Sequence, residues 1–147
     1  MINILEILDS ERARINFIKG LIYLSKATEK KEGLGGIDES ELVFLRNSMR
    51  ALCLEQEIQN KLEEFIMLKE IRIDLSFDSK KQTLFFFREA IQLCYIDGMY
   101  QQAEKDMVLE MAKMLGVELN IIDKIEKWVL EGIEWLQRGD KLLELEG

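Results

Sequence analysis

The chain has 147 residues, with 28 acidic and 20 basic side chains and a net charge of −8. This acidic balance argues against nucleic acid and anionic membranes as partners, because both require a basic patch on the protein. The chain contains no histidine and no proline, which excludes histidine-dependent nucleophiles and metal sites and leaves nothing to interrupt helices.

The two cysteines lie in apolar contexts, Cys53 in ALCLE and Cys94 in IQLCYI. We expect both thiols to be buried and unpaired, as in a reducing compartment. The N-terminus lacks the basic region of a secretory signal, and no apolar run approaches the ~20 residues that span a bilayer. These features predict a single cytoplasmic domain with no membrane insertion.

Helical periodicity dominates the first half of the chain. Asp9 or Ser10 can cap a first helix, which ends before the polar, glycine-rich loop TEKKEGLGG. Asp38 or Ser40 then opens a second helix with apolar residues at core spacing. A third helix carries the apolar residues Ile58, Leu62, Phe65 and Ile66.

A short extended segment separates the two halves. IRIDLSFDS alternates apolar and polar residues, but it is too short and solitary to found a sheet, so we interpret residues 70–78 as a connector. Ser79 with Gln82 forms a capping-box pattern that begins the next helix. Because that helix is apolar around most of its circumference, it is predicted to lie at the centre of the molecule.

Two further helices are predicted, over residues 104–115 and 118–136. A short charged helix, DKLLELE, is expected after Gly139. In the first of these helices Met107, Met111 and Met114 share one face, a pattern that occurs in adaptable interfaces and, more often, in cores. Trp135, beside the charged tail, is a further candidate for contact with a protein partner.

The second half of the chain repeats the first. When Glu41 is aligned with Glu104, the second and third predicted helices of the first half align without a gap on the last two predicted helices of the second half. Identical pairs are Leu52/Leu115, Glu55/Glu118, Ile58/Ile121, Lys61/Lys124 and Glu63/Glu126. We therefore predict an all-α bundle of about seven helices: two three-helix repeats (about 10–69 and 79–137) related by a pseudo-two-fold axis, followed by a C-terminal helical extension (138–147).

The stretch YIDGMYQQAE, residues 95–104, raises the question of a metal site. Gly98, five residues and Glu104 match the end of an EF-hand loop, and Asp97 precedes the glycine as that loop requires. Leu93 and Tyr95 occupy the earlier ligand positions, which excludes an EF-hand. Two interpretations remain: Asp97 and Glu104 end one helix and begin the next, or they bind a divalent cation weakly.

The segment AIQLCYIDGMYQQAEKDMVLEMAKMLGVE resembles the TerB-like domain of tellurite-resistance proteins, which is related to the N-terminal region of DjlA co-chaperones. The shared motif is Asp-Gly at a helix end, Glu seven residues after the Asp, and a helix closing in Leu-Gly. In this sequence the motif falls on Asp97, Gly98, Glu104, Leu115 and Gly116. The resemblance implies an all-helical fold with two such units and acidic residues that bind metal.

The first half departs from this motif, because Thr28-Glu29 stands where Asp-Gly is expected. The favoured hypothesis is a non-catalytic, TerB-like interaction module that binds a protein partner or a second copy of itself. Its link to tellurite or metal stress is loose, since analogy of fold does not identify a mechanism. The alternative is a divalent-cation sensor that uses Asp97 and Glu104, and no other cofactor is expected.

Overall fold

The computed structural model describes residues 3–27, 37–68, 72–95 and 100–145. Within these ranges the chain forms seven α-helices and no β-strand, which confirms the predicted all-α class. The helices are α1 (Ile4–Ile7), α2 (Glu11–Lys26), α3 (Glu39–Ala51), α4 (Gln56–Ile66), α5 (Lys80–Cys94), α6 (Gln102–Leu115) and α7 (Leu119–Leu142). The glycine-rich stretch 28–36 lies outside the described residues.

Short polar side chains start three of the helices at predicted positions. Ser10, Asp38 and Ser79 each accept a hydrogen bond from the backbone N–H three residues later, at 2.9–3.2 Å. Each bond satisfies one of the N–H groups that a first helical turn leaves unpaired, and such a cap stabilises a helix by about 1 kcal/mol.

Gln82 is used differently from a capping box. Its side-chain oxygen accepts from the N–H of Asp78 at 2.9 Å, and its amide nitrogen donates to the carbonyl of Ile7 at 3.0 Å and to Asp9 at 3.2 Å. The residue is buried. Gln82 therefore fastens the start of α5 to the turn between α1 and α2.

The helices α2 and α5 pack against each other at the centre of the described structure. In addition, α5 contacts α1, α6 and α7, while α2 contacts α3, α4 and α6. The buried rings of Phe17 and Phe86 meet edge to face across this contact, with centroids 6.1 Å apart. The central position predicted for α5 is confirmed, and α2 shares it.

The described part of the connector, residues 72–78, forms neither helix nor strand. Its apolar side chains pack inward, with Leu75 buried and Phe77 stacked on Phe86 at 5.5 Å. The Asp74 N–H donates to the Tyr23 hydroxyl at 3.3 Å. The segment is thus held against α2 and α5 by side chains rather than by a ladder of backbone bonds.

Two expectations about glycine and cysteine are wrong. The tail after Gly139 is not a separate helix, because α7 continues through that residue to Leu142. A glycine within a helix, such as Gly139, disfavours it by only about 1 kcal/mol. A glycine ends a helix when its backbone becomes left-handed, as that of Gly116 does after α6 with a φ of 72°. Cys53, predicted to be buried, is exposed, because it follows α3 with a φ of 54° and points outward.

Candidate functional site

An apolar groove runs between α5 and α7. Its volume is about 440 Å³. The floor consists of apolar side chains from three helices: Ile7, Leu84, Phe85, Ile121, Ile125 and Trp128. The rim carries three cations, Lys81, Arg88 and Lys124. An apolar cleft bordered by positive charge is unusual in a protein with a net charge of −8.

Arg88 organises the centre of the groove. Its guanidinium lies over the ring of Phe85 at 5.1 Å and over that of Trp128 at 5.5 Å, and each such contact stabilises by about 0.5–1 kcal/mol at an exposed site. Arg88 also pairs with Glu89 at 3.0 Å, a residue that does not line the groove. The stacking fixes the Trp128 ring in the groove and leaves about half of its surface exposed.

The other two cations of the rim differ from Arg88 in their pairing. Neither Lys81 nor Lys124 forms a salt bridge with a carboxylate of the described residues. Both lysines are exposed beside the apolar floor, so their ammonium groups can pair at short range with carboxylates of a bound partner. The rim is therefore suited to attract a negatively charged partner, although the protein as a whole is acidic.

The groove continues along α7 beyond Trp128. A second cavity of about 350 Å³ adjoins the first, and Trp128 lines both. Gln92 and Tyr95 of α5 form one wall, and the opposite wall consists of Val129, Gly132, Ile133, Trp135 and Leu136 of α7. The two cavities together form one continuous apolar surface, which we call the α5–α7 groove.

The C-terminal half of α7 projects from the body of the protein. Between residue 131 and residue 145 every side chain is exposed except that of Ile133, which is half-buried. The exposed set includes large apolar residues, with Trp135 at 67%, Leu142 at 67% and Leu143 at 84%. Contiguous exposed apolar surface of this kind marks interaction sites in soluble proteins.

A polar cluster adjoins the groove at Tyr95, whose ring lies 5.2 Å from that of Tyr100. Tyr100 is close to Glu126, which also pairs with Lys105 at 3.5 Å. Burial first, and then the charge of Glu126, raise the pKa of Tyr100 far above its ordinary value of 10.0. The phenol is therefore protonated at neutral pH, and the cluster serves to hold α6 and α7 together.

The predicted metal residues are only partly within the described structure. Asp97 lies outside the described residues. Glu104 is buried, and its carboxylate accepts the N–H of Gln101 at 3.1 Å as part of a capping box at the start of α6. Across the described ranges, no group of three or more Cys, Asp and Glu side chains could hold a metal ion. A cation site at Asp97 and Glu104 stays a prediction.

The predicted interaction residues occupy three different environments. Met111 lies in the core, and Met107 is half-buried against it. Met114 is half-exposed, and Trp135 is exposed in the α5–α7 groove. The methionines therefore do not form one accessible stripe, whereas Trp135 is part of a larger surface.

Sequence reasoning did not identify the rim cations or Trp128. A signal was present, because the apolar residues of α7 fall on two stripes: one through Ile122 and Val129 that is buried, and a second through Ile121 and Trp128 that is not. The second stripe indicates a surface that the chain itself does not cover.

No protein-family model, no curated protein and no solved structure matches the chain. The resemblance to the TerB-like family therefore rests on the motif of residues 97–116 and stays a prediction. None of the described helices is long and apolar enough to cross a bilayer.

Proposed function

We propose that the protein is a non-catalytic interaction module whose α5–α7 groove binds an amphipathic, acidic helix of a protein partner. The observation that carries the proposal is the combination of an apolar floor with the cationic rim of Lys81, Arg88 and Lys124. A helix with one apolar face and flanking carboxylates satisfies both features. The acidic C-terminal stretch from Glu118 favours a basic partner, but the local charge of the groove favours an acidic one.

The dimensions of the groove favour a helix over a small ligand. Its lining extends along α7 from Ile121 to Leu136, which corresponds to about 22 Å at a rise of 1.5 Å per residue. Trp128 and Trp135 lie along this length with half or more of their surfaces exposed. Exposed tryptophans beside an arginine are the residue types that most often dominate the energy of protein interfaces.

We also infer that the chain contains two related three-helix units. In support, the shift that aligns the two halves of the sequence places the first residue of α3 on that of α6, and the first residue of α4 on that of α7. The same shift places Cys53 on Gly116, and both take positive φ after their helices. It also places the end of α4 at Ile66 on Val129, so α7 continues past the unit as far as Leu142. This extension is the part of α7 that the core does not require.

The TerB-like affiliation and a loose link to metal or tellurite stress in the cytoplasm are parts of the same proposal. Their support is the motif itself: Glu104 begins α6, and Gly116 ends it in a left-handed conformation. An interaction module without a catalytic centre is compatible with such a role.

Photocrosslinking in cells tests the proposal. Benzoylphenylalanine replaces Trp135 in the full-length chain, with Val43 of α3 as the matched position, since Val43 is apolar and half-exposed but does not line the groove. We expect a covalent adduct with a helical, carboxylate-bearing protein segment from position 135 only. Changing both Arg88 and Lys124 to Glu is expected to abolish it. Equal adducts from both positions, or none from position 135, contradict the proposal.

A further inference from the structure

One stripe of α7, half-buried at Ile121 and Ile125 and exposed from Trp128 onward, has the spacing of a coiled-coil seam. Its residues recur at alternating intervals of four and three, over the full length of the helix: Ile121, Ile125, Trp128, Gly132, Trp135, Gly139 and Leu142. A helix of 24 residues is about 36 Å long. Three consecutive heptads on a face that the chain covers only in part are the pattern of a helix that packs against another helix.

Large and small residues alternate along this seam from Trp128 to Leu142, whereas Ile121 and Ile125 before them are both large. The large ones are Ile121, Trp128, Trp135 and Leu142, one heptad apart, and glycine occupies positions 132 and 139 between them. A Cβ added at Gly132 or Gly139 would meet no atom within 4 Å. The seam therefore presents knobs and open holes on the same face of one helix.

An antiparallel second copy of α7 fills these holes. In one register Trp135 of each copy lies on Gly132 of the other, and the same register places Trp128 on Gly139 and Leu142 on Ile125. A parallel pair would instead place tryptophan on tryptophan and glycine on glycine, which leaves voids. The two-fold symmetry of the antiparallel pair repeats every contact, as in most protein dimers.

The charges beside the seam fit the same register. Glu131 and Arg138 flank the seam on one side and are brought opposite each other, in both symmetry-related positions. On the side nearest α5, Asp140 of the second copy falls at the level of Trp128, over whose ring the Arg88 guanidinium lies. The second copy thus supplies both the apolar face and the carboxylate that the groove favours.

The available area is sufficient for a specific dimer. With ~250 Å² for a tryptophan side chain, the exposed portions of Trp128 and Trp135 amount to roughly 600 Å² over two copies, about half of the ~1,200 Å² of a small specific interface. The exposed leucines of α7, Leu136, Leu142 and Leu143, and the floor of the groove supply the remainder.

We propose that the partner of the α5–α7 groove is a second copy of this chain, and that α7 pairs antiparallel with its counterpart through the Trp128/Gly139 and Trp135/Gly132 contacts. This inference rests on the proposed function, because it names the helix that the groove binds.

Sedimentation analysis of the full-length chain tests the pairing. The wild type is expected to be a dimer at micromolar concentration. Gly132→Leu/Gly139→Leu fills both holes and is expected to weaken the dimer by at least ~100-fold, because overpacking is repeated at four positions. Thermal unfolding of this variant reports whether it remains folded. The matched control is Lys127→Leu/Glu134→Leu, which places the same two leucine side chains on α7 outside the seam and should remain dimeric.

A charge exchange tests the register. Glu131→Arg places like charges opposite each other twice and is expected to weaken the dimer by roughly tenfold. Combining it with Arg138→Glu restores opposite charges and should restore the wild-type affinity. A dimer that tolerates both glycine substitutions, or whose charge variants do not rescue each other, overturns the pairing.

The two proposals fail in different ways. A monomeric wild type whose position 135 still crosslinks to another protein overturns the self-pairing and leaves the interaction module standing. A monomer that gives no adduct from position 135 overturns both.

Discussion

Replacing Gly20 by alanine is expected to destabilise the protein, although alanine is the better helix former. Gly20 lies within α2, against α5. A Cβ built there would lie 2.3 Å and 2.5 Å from two ring atoms of Phe86 and 3.2 Å from the Leu75 side chain. Non-bonded carbon atoms prefer separations of about 3.5–4.0 Å. The ring would have to move by more than about 1 Å to reach such a separation.

The surroundings of Phe86 prevent this movement. Its ring is fully buried and lies 6.1, 5.5 and 5.2 Å from the rings of Phe17, Phe77 and Phe87. Overpacking of this kind disfavours the folded state by about 1–3 kcal/mol, and the gain in helix propensity offsets about 1 kcal/mol. Because the ring cannot move aside, we take the upper end of that range and expect a net loss of up to ~2 kcal/mol, or roughly 6 °C in melting temperature for a chain of this length.

Urea unfolding followed by circular dichroism measures this loss. Asn47→Ala is the control for helix propensity, at the same protein concentration, because Asn47 is exposed within α3 and does not line the α5–α7 groove; it should stabilise by up to ~0.7 kcal/mol. In a double-mutant cycle, Phe86→Leu should make Gly20→Ala less harmful by at least ~1 kcal/mol. A stabilisation by Gly20→Ala equal to that by Asn47→Ala would refute the close contact between α2 and α5.

Two further predictions concern the helix ends and the buried phenol. Cys53→Gly should raise the urea midpoint by the equivalent of ~1 kcal/mol, because it removes the strain of a non-glycine residue in the left-handed conformation. Gly116→Ala should lower the midpoint by a similar amount, because it introduces that strain. Midpoint shifts of the same sign would contradict this reasoning. Because the pKa of Tyr100 is raised on folding, the folded state retains a proton that the unfolded chain loses above pH 10, so stability should fall as the pH rises past that value. Tyr100→Phe should show a smaller fall between pH 8 and pH 11, and an unchanged fall would show that the phenol does not contribute.

Local features of the structure were predictable from sequence. The caps at Ser10, Asp38 and Ser79 form between groups three residues apart, and the end of α6 at Gly116 depends on one backbone conformation. Such interactions depend on neighbours along the chain, and a sequence displays its neighbours directly. The burial of the apolar stripe on α5 follows likewise from helical periodicity.

Features that depend on distant residues were not predictable in this way. The sequence did not indicate that Trp128 of α7 would lie beneath the guanidinium of Arg88, which belongs to a different helix. Gln82 was interpreted as half of a local cap. Its side-chain amide instead donates to the carbonyl of Ile7, which lies 75 residues earlier in the chain. Both contacts require the packing of helices that the local pattern does not specify.

The sequence by itself determined that this protein is all-helical, because the absence of proline, the caps and the 3.6-residue periodicity act within single helices. Only the tertiary structure decided which apolar face of α7 the core covers and which one remains open. That choice depends on the packing of α5 against α7, since both stripes of α7 carry large apolar residues and the core fully covers only the one through Ile122 and Val129.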